Sequence, residues 1–280
     1  MVRPLRLEFP GALYYVTSRG DKYDIYLDED DRRAWLEVLD QVCHRFKWII
    51  FAYCQMDRDF HLLVETMDCN LAKGMRQLNG VYTQYFNLRH NKTGPLYRGR
   101  YKAILVQKKR YLLAVTRHIA LLPLYRDMTT TLENWPWSSY PATIDTVKAP
   151  QWLARKKLLN KFAKKRKKAI QAYRQFIMEG KGLPSPLEQT QHQILLGDDD
   201  FVARYQQGIH SEFPPERAES SDKANILPLH SYQQRYPNKK EAMARAYLSG
   251  AYTMAQIGDH FGVNYMTVSR AVRQFEKKDD

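Results

Sequence analysis

Met56-Asp57-Arg58-Asp59-Phe60-His61-Leu62-Leu63-Val64-Glu65 is the stretch on which the reading of this sequence turns. Residues 60–66 are mostly apolar or β-branched, which predicts a strand. Successive side chains in a strand alternate between faces, so Asp59 and His61 share one. Two such side chains can hold a metal ion or a phosphate between them. A second apolar run, residues 48–55, ends just before this one, and the short gap predicts a hairpin.

Working outward, residues 12–19 (Ala-Leu-Tyr-Tyr-Val-Thr-Ser-Arg) lie between Gly11 and Gly20 and predict another strand. Residues 28–46 have an acidic start and apolar side chains at Trp35, Leu36, Leu39, Val42, Cys43 and Phe46, the spacing of an amphipathic helix. Residues 70–90 repeat that pattern with Leu71, Met75, Leu78, Val81, Tyr82, Tyr85 and Phe86, until a Gly- and Pro-containing break at 91–95. A fourth strand is expected at 101–106 and a helix at 108–122, stopped by Pro123. The order β-α-β-β-α-β-α describes an α+β fold, a ferredoxin-like antiparallel sheet with helices on one face.

The chain has 280 residues, enough for one large domain or for two with a small appendage. With 44 Lys and Arg against 30 Asp and Glu, the formal charge of +14 favours a polyanionic partner, nucleic acid before membrane. Three cysteines, without a CxxC pair or metal-ligand spacing, argue for a reduced cytosolic protein. Neither a signal-peptide run nor a membrane-length apolar segment is present, so a cytoplasmic location is expected.

Residues 156–168 are dominated by lysine and predict a basic amphipathic helix that could lie against phosphates, although a solvated helix face reads the same way. Residues 184–225 mix Gln, Pro, Ser and acidic side chains, as partly ordered linkers do. Beyond them, helices are expected at 241–248, from about 253, and at 265–275, with Gly262 at a tight turn and Gly258 four residues earlier where two helices cross. This is the pattern of a helix-turn-helix. Asn264, Thr267, Ser269, Arg270 and Arg273 would face outward from the last helix and suit phosphates and base edges. A helical hairpin that binds protein or builds a dimer has the same pattern.

Several blocks occur together and in order: Arg3-Pro4-Leu5-Arg6, Phe9-Pro10-Gly11-Ala12, Tyr15-Val16-Thr17-Ser18-Arg19-Gly20, Gly74-Met75-Arg76-Gln77-Leu78-Asn79-Gly80-Val81-Tyr82, Gly99-Arg100-Tyr101-Lys102-Ala103 and Trp135-Pro136-Trp137-Ser138-Ser139-Tyr140. Over residues 1–145 these resemble REP-associated tyrosine transposases, within the HUH group of single-strand transposases. The resemblance implies a DNA-hairpin-binding enzyme, often dimeric, whose strand His-x-His holds Mg²⁺ or Mn²⁺ and whose helical tyrosine attacks the scissile phosphate. A Lewis acid on the non-bridging oxygen and an in-line nucleophile are what such chemistry requires.

The chemical positions depart from that pattern. The first histidine is Asp59 while His61 is retained; the tyrosine is His118 and the asparagine one turn later is Leu122. Tyr15 also stands where the family usually has histidine.

Two readings follow. In the first, the chain is a DNA-binding protein derived from such a transposase, inactive and needing no cofactor. Its domain at 1–145 grips hairpin or single-stranded DNA through Arg19, Arg98, Arg100 and Lys102, and its helix-turn-helix reads duplex. In the second, Asp59 and His61 still hold Mg²⁺ or Mn²⁺, and His118, or Tyr111 seven residues earlier, is the nucleophile of an active transposase or nuclease. Both readings place a transposase-like domain at 1–145, a basic helical extension at 146–183, a linker at 184–235 and a helix-turn-helix at 236–280. Both expect a location on the nucleoid and admit a homodimer.

Overall fold

A computed structural model describes residues 7–210, 228–248, 252 and 254–276. The chain divides into two compact units, Met1–Arg217 and Ala218–Asp280.

The first unit is built on strands β1 (Ala12–Arg19), β2 (Trp48–Gln55), β3 (Asp59–Thr66) and β4 (Lys102–Val106), with helices α1 (Glu29–Phe46), α2 (Leu71–Arg89) and α3 (Lys108–Tyr125). Local chemistry sets the ends of α1. The Asp28 carboxylate accepts from the Asp31 N–H at 3.0 Å, and three acidic residues follow in the first turn, where the helix dipole favours them. Lys47 closes the helix in the left-handed conformation at φ 54°.

The sheet order is β2-β3-β1-β4, each neighbour antiparallel, with Thr17 opposite His61 and Arg19 opposite Asp59. This is the expected ferredoxin-like order, with one addition. A two-residue strand β5 (Leu195–Leu196) pairs in parallel with Leu105 and Val106 of β4.

Helices cover both faces of the sheet, rather than the one face expected. Tyr14, Val16, Phe60, Leu62 and Val64 pack on α1 and α2. Leu13, Tyr15 and Leu63 point the other way, toward α3 and the helices α4 (Ser139–Thr143), α5 (Arg155–Leu159) and α6 (Arg166–Met178). Every residue of β3 is buried, because this central strand is paired on both edges and covered by helices on both faces. On the first face α2 lies so close that a Cβ on Gly74 would overlap the Trp48 ring.

The open edge of β2 is covered by the Trp-Pro-Trp-Ser-Ser block. Gln55 N–H donates to the Trp137 carbonyl at 2.8 Å, Trp135 Nε1–H donates to the Gln55 carbonyl at 3.2 Å, and Tyr53 N–H donates to Ser139 Oγ at 3.0 Å. An unpaired edge would otherwise leave these groups open to another chain.

Three expectations are corrected. Pro123 does not stop α3, which runs to Tyr125. The proline sits in the last turn, where its missing N–H costs a single helical bond, and the turn is closed by Arg126 N–H to the Leu122 carbonyl at 3.1 Å. The basic segment is two helices, α5 and α6, with a break at 160–165, after which Ala169, Tyr173 and Ile177 supply the buried stripe of α6 while Arg166, Lys167 and Lys168 in its first turn stay exposed. Residues 184–210 are structured rather than linker-like. Ser185 and Glu188 form a capping box on the 3-10 turn Pro186–Gln189, and α7 (Asp199–His210) stacks Tyr205 on Phe9 at 5.2 Å.

The second unit contains α8 (Leu229–Arg235), α9 (Lys239–Leu248), α10 (Met254–Phe261) and α11 (Tyr265–Glu276) around Tyr232, Ile257, Phe261, Val268, Ala271 and Val272. Helix α8 falls where linker was expected, and Tyr232 is the apolar residue that seats it. Gly262 takes φ +62° between α10 and α11, a conformation glycine adopts without strain. Asn264 Oδ1 then accepts from the Met266 N–H at 3.0 Å to open α11.

Candidate functional site

Asp59 and His61 lie on the α3-facing side of β3, and a closed chain of hydrogen bonds surrounds them. Asp59 Oδ1 lies 3.1 Å from His61 Nε2, and His61 Nδ1 lies 2.6 Å from the Tyr15 hydroxyl. An ionised Asp59 can only accept, so His61 Nε2 carries a proton. The other ring nitrogen, Nδ1, is engaged by the Tyr15 hydroxyl. Arg126, at the end of α3, closes the chain by donating from Nη1 to both Asp59 oxygens at 2.8 and 3.0 Å.

Asp59, His61 and Tyr15 are buried, whereas the Arg126 side chain remains 42% exposed. Burial opposes the charge on Asp59, but hydrogen bonds and charge from His61 and Arg126 outweigh it and hold the carboxyl below its ordinary range. The same burial, with Asp59 adding to it, raises the Tyr15 hydroxyl well above an ordinary phenol, so it stays protonated.

Helix α3 supplies the remaining members. His118, Leu122 and Arg126 are spaced four apart and so share one side of the helix. The His118 ring meets Tyr15 edge-on at 6.3 Å, and its Nδ1 is 3.4 Å from Ser185 Oγ. Burial, then His61 and Arg126, push the His118 imidazole down to about 4, so it is neutral near pH 7. Leu122 is buried and brings no donor atom. Tyr111 lies apart from the cluster, with its hydroxyl donating to Gln189 at 2.6 Å.

The cluster does not fit a divalent ion as it stands. A metal needs free lone pairs, but those of His61 are taken by a proton and by Tyr15, and both Asp59 oxygens face a guanidinium. Among the described residues, no three His, Cys, Asp or Glu side chains converge on a point that could hold one.

Sequence reasoning placed Asp59, His61 and His118 together through the family resemblance, and the fold does bring them together. It missed Arg126. The available signal was the continuation of the four-residue spacing from His118 through Leu122, hidden because Pro123 was taken as the helix end.

The cations at 19, 98, 100 and 102 collect where β1 ends and β4 begins. Arg98 N–H donates to the Arg19 carbonyl at 2.8 Å, Gly20 bridges to Tyr97, and Lys102 pairs with Thr17. All four are exposed, and none forms an ion pair with a described residue. Arg100 and Lys102 border a groove of about 640 Å³ that Tyr14, Tyr15, Thr17 and Tyr101 also line. In the second unit Asn264 and Arg270 are exposed and Thr267 and Ser269 half-buried on α11, while the Arg273 side chain lies outside the described residues.

Residues 15–120 match the family model described as Transposase IS200 like. The match spans β1 to most of α3, and so includes Asp59, His61 and His118 but not Arg126. A solved structure described as the REP-associated tyrosine transposase bound to a REP hairpin is similar at 12% identity and a TM-score of 0.44, covering 54% of this chain and 89% of that one. No curated protein matches. Among the described residues, no helix is long and apolar enough to cross a membrane.

Proposed function

We propose that this chain is a DNA-binding protein derived from a REP-associated tyrosine transposase, without strand-cleaving activity. It binds hairpin or single-stranded DNA through the transposase-like domain and duplex through a helix-turn-helix formed by α10 and α11. One observation carries this reading: Arg19, Arg98, Arg100 and Lys102 are all exposed and unpaired among the described residues where β1 ends and β4 begins, and Arg100 and Lys102 border a groove there. Cations track the nucleic-acid backbone, and the half-buried Tyr101 on the groove wall is the ring placed to meet an unpaired base. The chemistry is poorly supplied by comparison, since Leu122 has no ligand atom and His118 replaces the tyrosine expected there. The protein would work in the cytoplasm, on the nucleoid, and a homodimer is compatible with this role.

The test is hairpin binding as a function of salt. Four phosphate contacts on single-stranded segments give a slope of roughly −3, so affinity should fall about 50-fold between about 50 and 200 mM salt. Affinity that does not change with salt would overturn the reading.

The competing reading is a metal-dependent transposase or nuclease using Asp59 and His61, with His118 or Tyr111 as nucleophile. Its support is that the His118 imidazole is held neutral, the nucleophilic form, beside His61. A labelled hairpin incubated with Mg²⁺ or Mn²⁺ separates the two. No covalent adduct is expected; an adduct lost in His118→Ala or Tyr111→Phe would establish the second reading.

A further inference from the structure

We propose that the Arg126 guanidinium is the resident cation of the Asp59–His61 site, occupying the electrostatic role a divalent ion would have there and offering its outer face to a phosphate. Arg126 grips both oxygens of a buried carboxylate from one nitrogen, Nη1, at 2.8 and 3.0 Å. Asp59 also accepts from His61, and His61 is held by Tyr15, so each polar atom facing the centre has a partner within the protein. A divalent ion could enter only by displacing Arg126 from Asp59 and stripping a proton from the His61–Tyr15 chain.

The outer side of the guanidinium is differently placed. Its Nη2 and Nε make no hydrogen bond with a described residue, and the side chain is 42% exposed. Its charge is permanent and needs no bound ion. Arg19, the cation opposite Asp59 in the β1–β3 register, belongs to the exposed basic group, so a strand on that group passes close to this site. The inner face of Arg126 therefore locks the old chemical site, and the outer face is free for one phosphate oxygen.

Two measurements on the full chain test this, and the first does not depend on DNA binding. Mn²⁺ alone is titrated into the protein and the free-ion electron paramagnetic resonance signal is followed. The wild type should leave that signal undiminished at millimolar metal; Mn²⁺ uptake that Asp59→Asn abolishes would overturn the proposal. The second measurement, which rests on the DNA-binding reading, compares hairpin affinity in EDTA and in Mg²⁺. At matched ionic strength the wild type should gain no affinity from Mg²⁺, and Arg126→Gln should bind about tenfold more weakly than the wild type in each buffer, the effect of one charge-assisted hydrogen bond. If Arg126→Gln fails to fold because Asp59 is left buried and charged, the Asp59→Asn/Arg126→Gln pair removes that charge and should show the same loss. Wild-type affinity in the folded variant would overturn the phosphate contact. A chain that binds no hairpin at all would sink the functional reading, and the Mn²⁺ titration would then decide this proposal alone.

Discussion

The two faces of the central sheet use the same strands for opposite purposes. On the α1–α2 face, Tyr14, Val16, Phe60, Leu62 and Val64 belong to an apolar core with Trp35 and Tyr82. On the α3 face, the alternate positions of β1 and β3 carry Tyr15, Asp59 and His61, joined by Arg126 from the helix above. A strand's period of two keeps these populations separate, so one face can lose or exchange its chemistry without disturbing the other. The contrast is open to direct tests.

The largest effect should come from the apolar face. Phe60→Ala removes a fully buried ring packed on Trp35 at 4.7 Å and should cost about 3–5 kcal/mol, read from denaturant unfolding of the full chain. A loss below about 1 kcal/mol would mean that the face is far less closely packed than it is drawn.

Next is the pH dependence of the α3 face. The folded state holds His118 near 4 against an ordinary 6.5, so the unfolded chain binds the extra proton first as pH falls. Stability should be full above about pH 6.5, fall by up to about 3 kcal/mol toward pH 4, and lose nothing further through this group below that. Asp59 has the same sign in a more acidic window: its lowered carboxyl stabilises the fold above the unfolded carboxylate range and loses that contribution as the pH falls through its folded value. His118→Phe should flatten the upper window; a slope unchanged in that variant would exclude His118 as its source.

A smaller effect is expected for the ion pair. Arg126→Ala leaves a buried carboxylate without its cation, but Arg126 is itself partly solvated, so a cost of about 2 kcal/mol is expected. The Asp59→Leu/Arg126→Leu pair should recover most of it, and a double-mutant cycle without coupling would show that the contact is absent in solution. The smallest effect on stability belongs to the basic end of the sheet. Arg19→Ala and Arg100→Ala should each shift stability by less than about 0.5 kcal/mol while weakening hairpin binding, so stability and affinity part company there.

Much of this architecture was legible from local pattern. The spacing of Trp35, Leu39 and Val42 marked α1, runs of apolar, β-branched and aromatic residues marked β1 to β3, and residues two apart on a strand had to share a face. Errors arose where local rules met tertiary context. Pro123 looked like a helix stop because its effect on an isolated helix is large, yet in a last turn it removes one bond only. The polar composition of 184–210 suggested linker because a few apolar residues, Leu195, Leu196, Val202 and Tyr205, suffice to dock a segment onto an existing sheet and core.

For the Asp59–His61 strand, the sequence alone determined that the two side chains lie side by side on one face, and that the helix above offers His118 and Leu122 at the chemical positions. The first follows from the strand's period of two, a property of the backbone; the second is what the family resemblance implies, and the helical period of nearly four only sets those two residues on one side. Only the tertiary structure decided which cation meets Asp59. Arg126 lies 67 residues along the chain, and its approach depends on where α3 ends and how that helix crosses β3, geometry that no local pattern encodes.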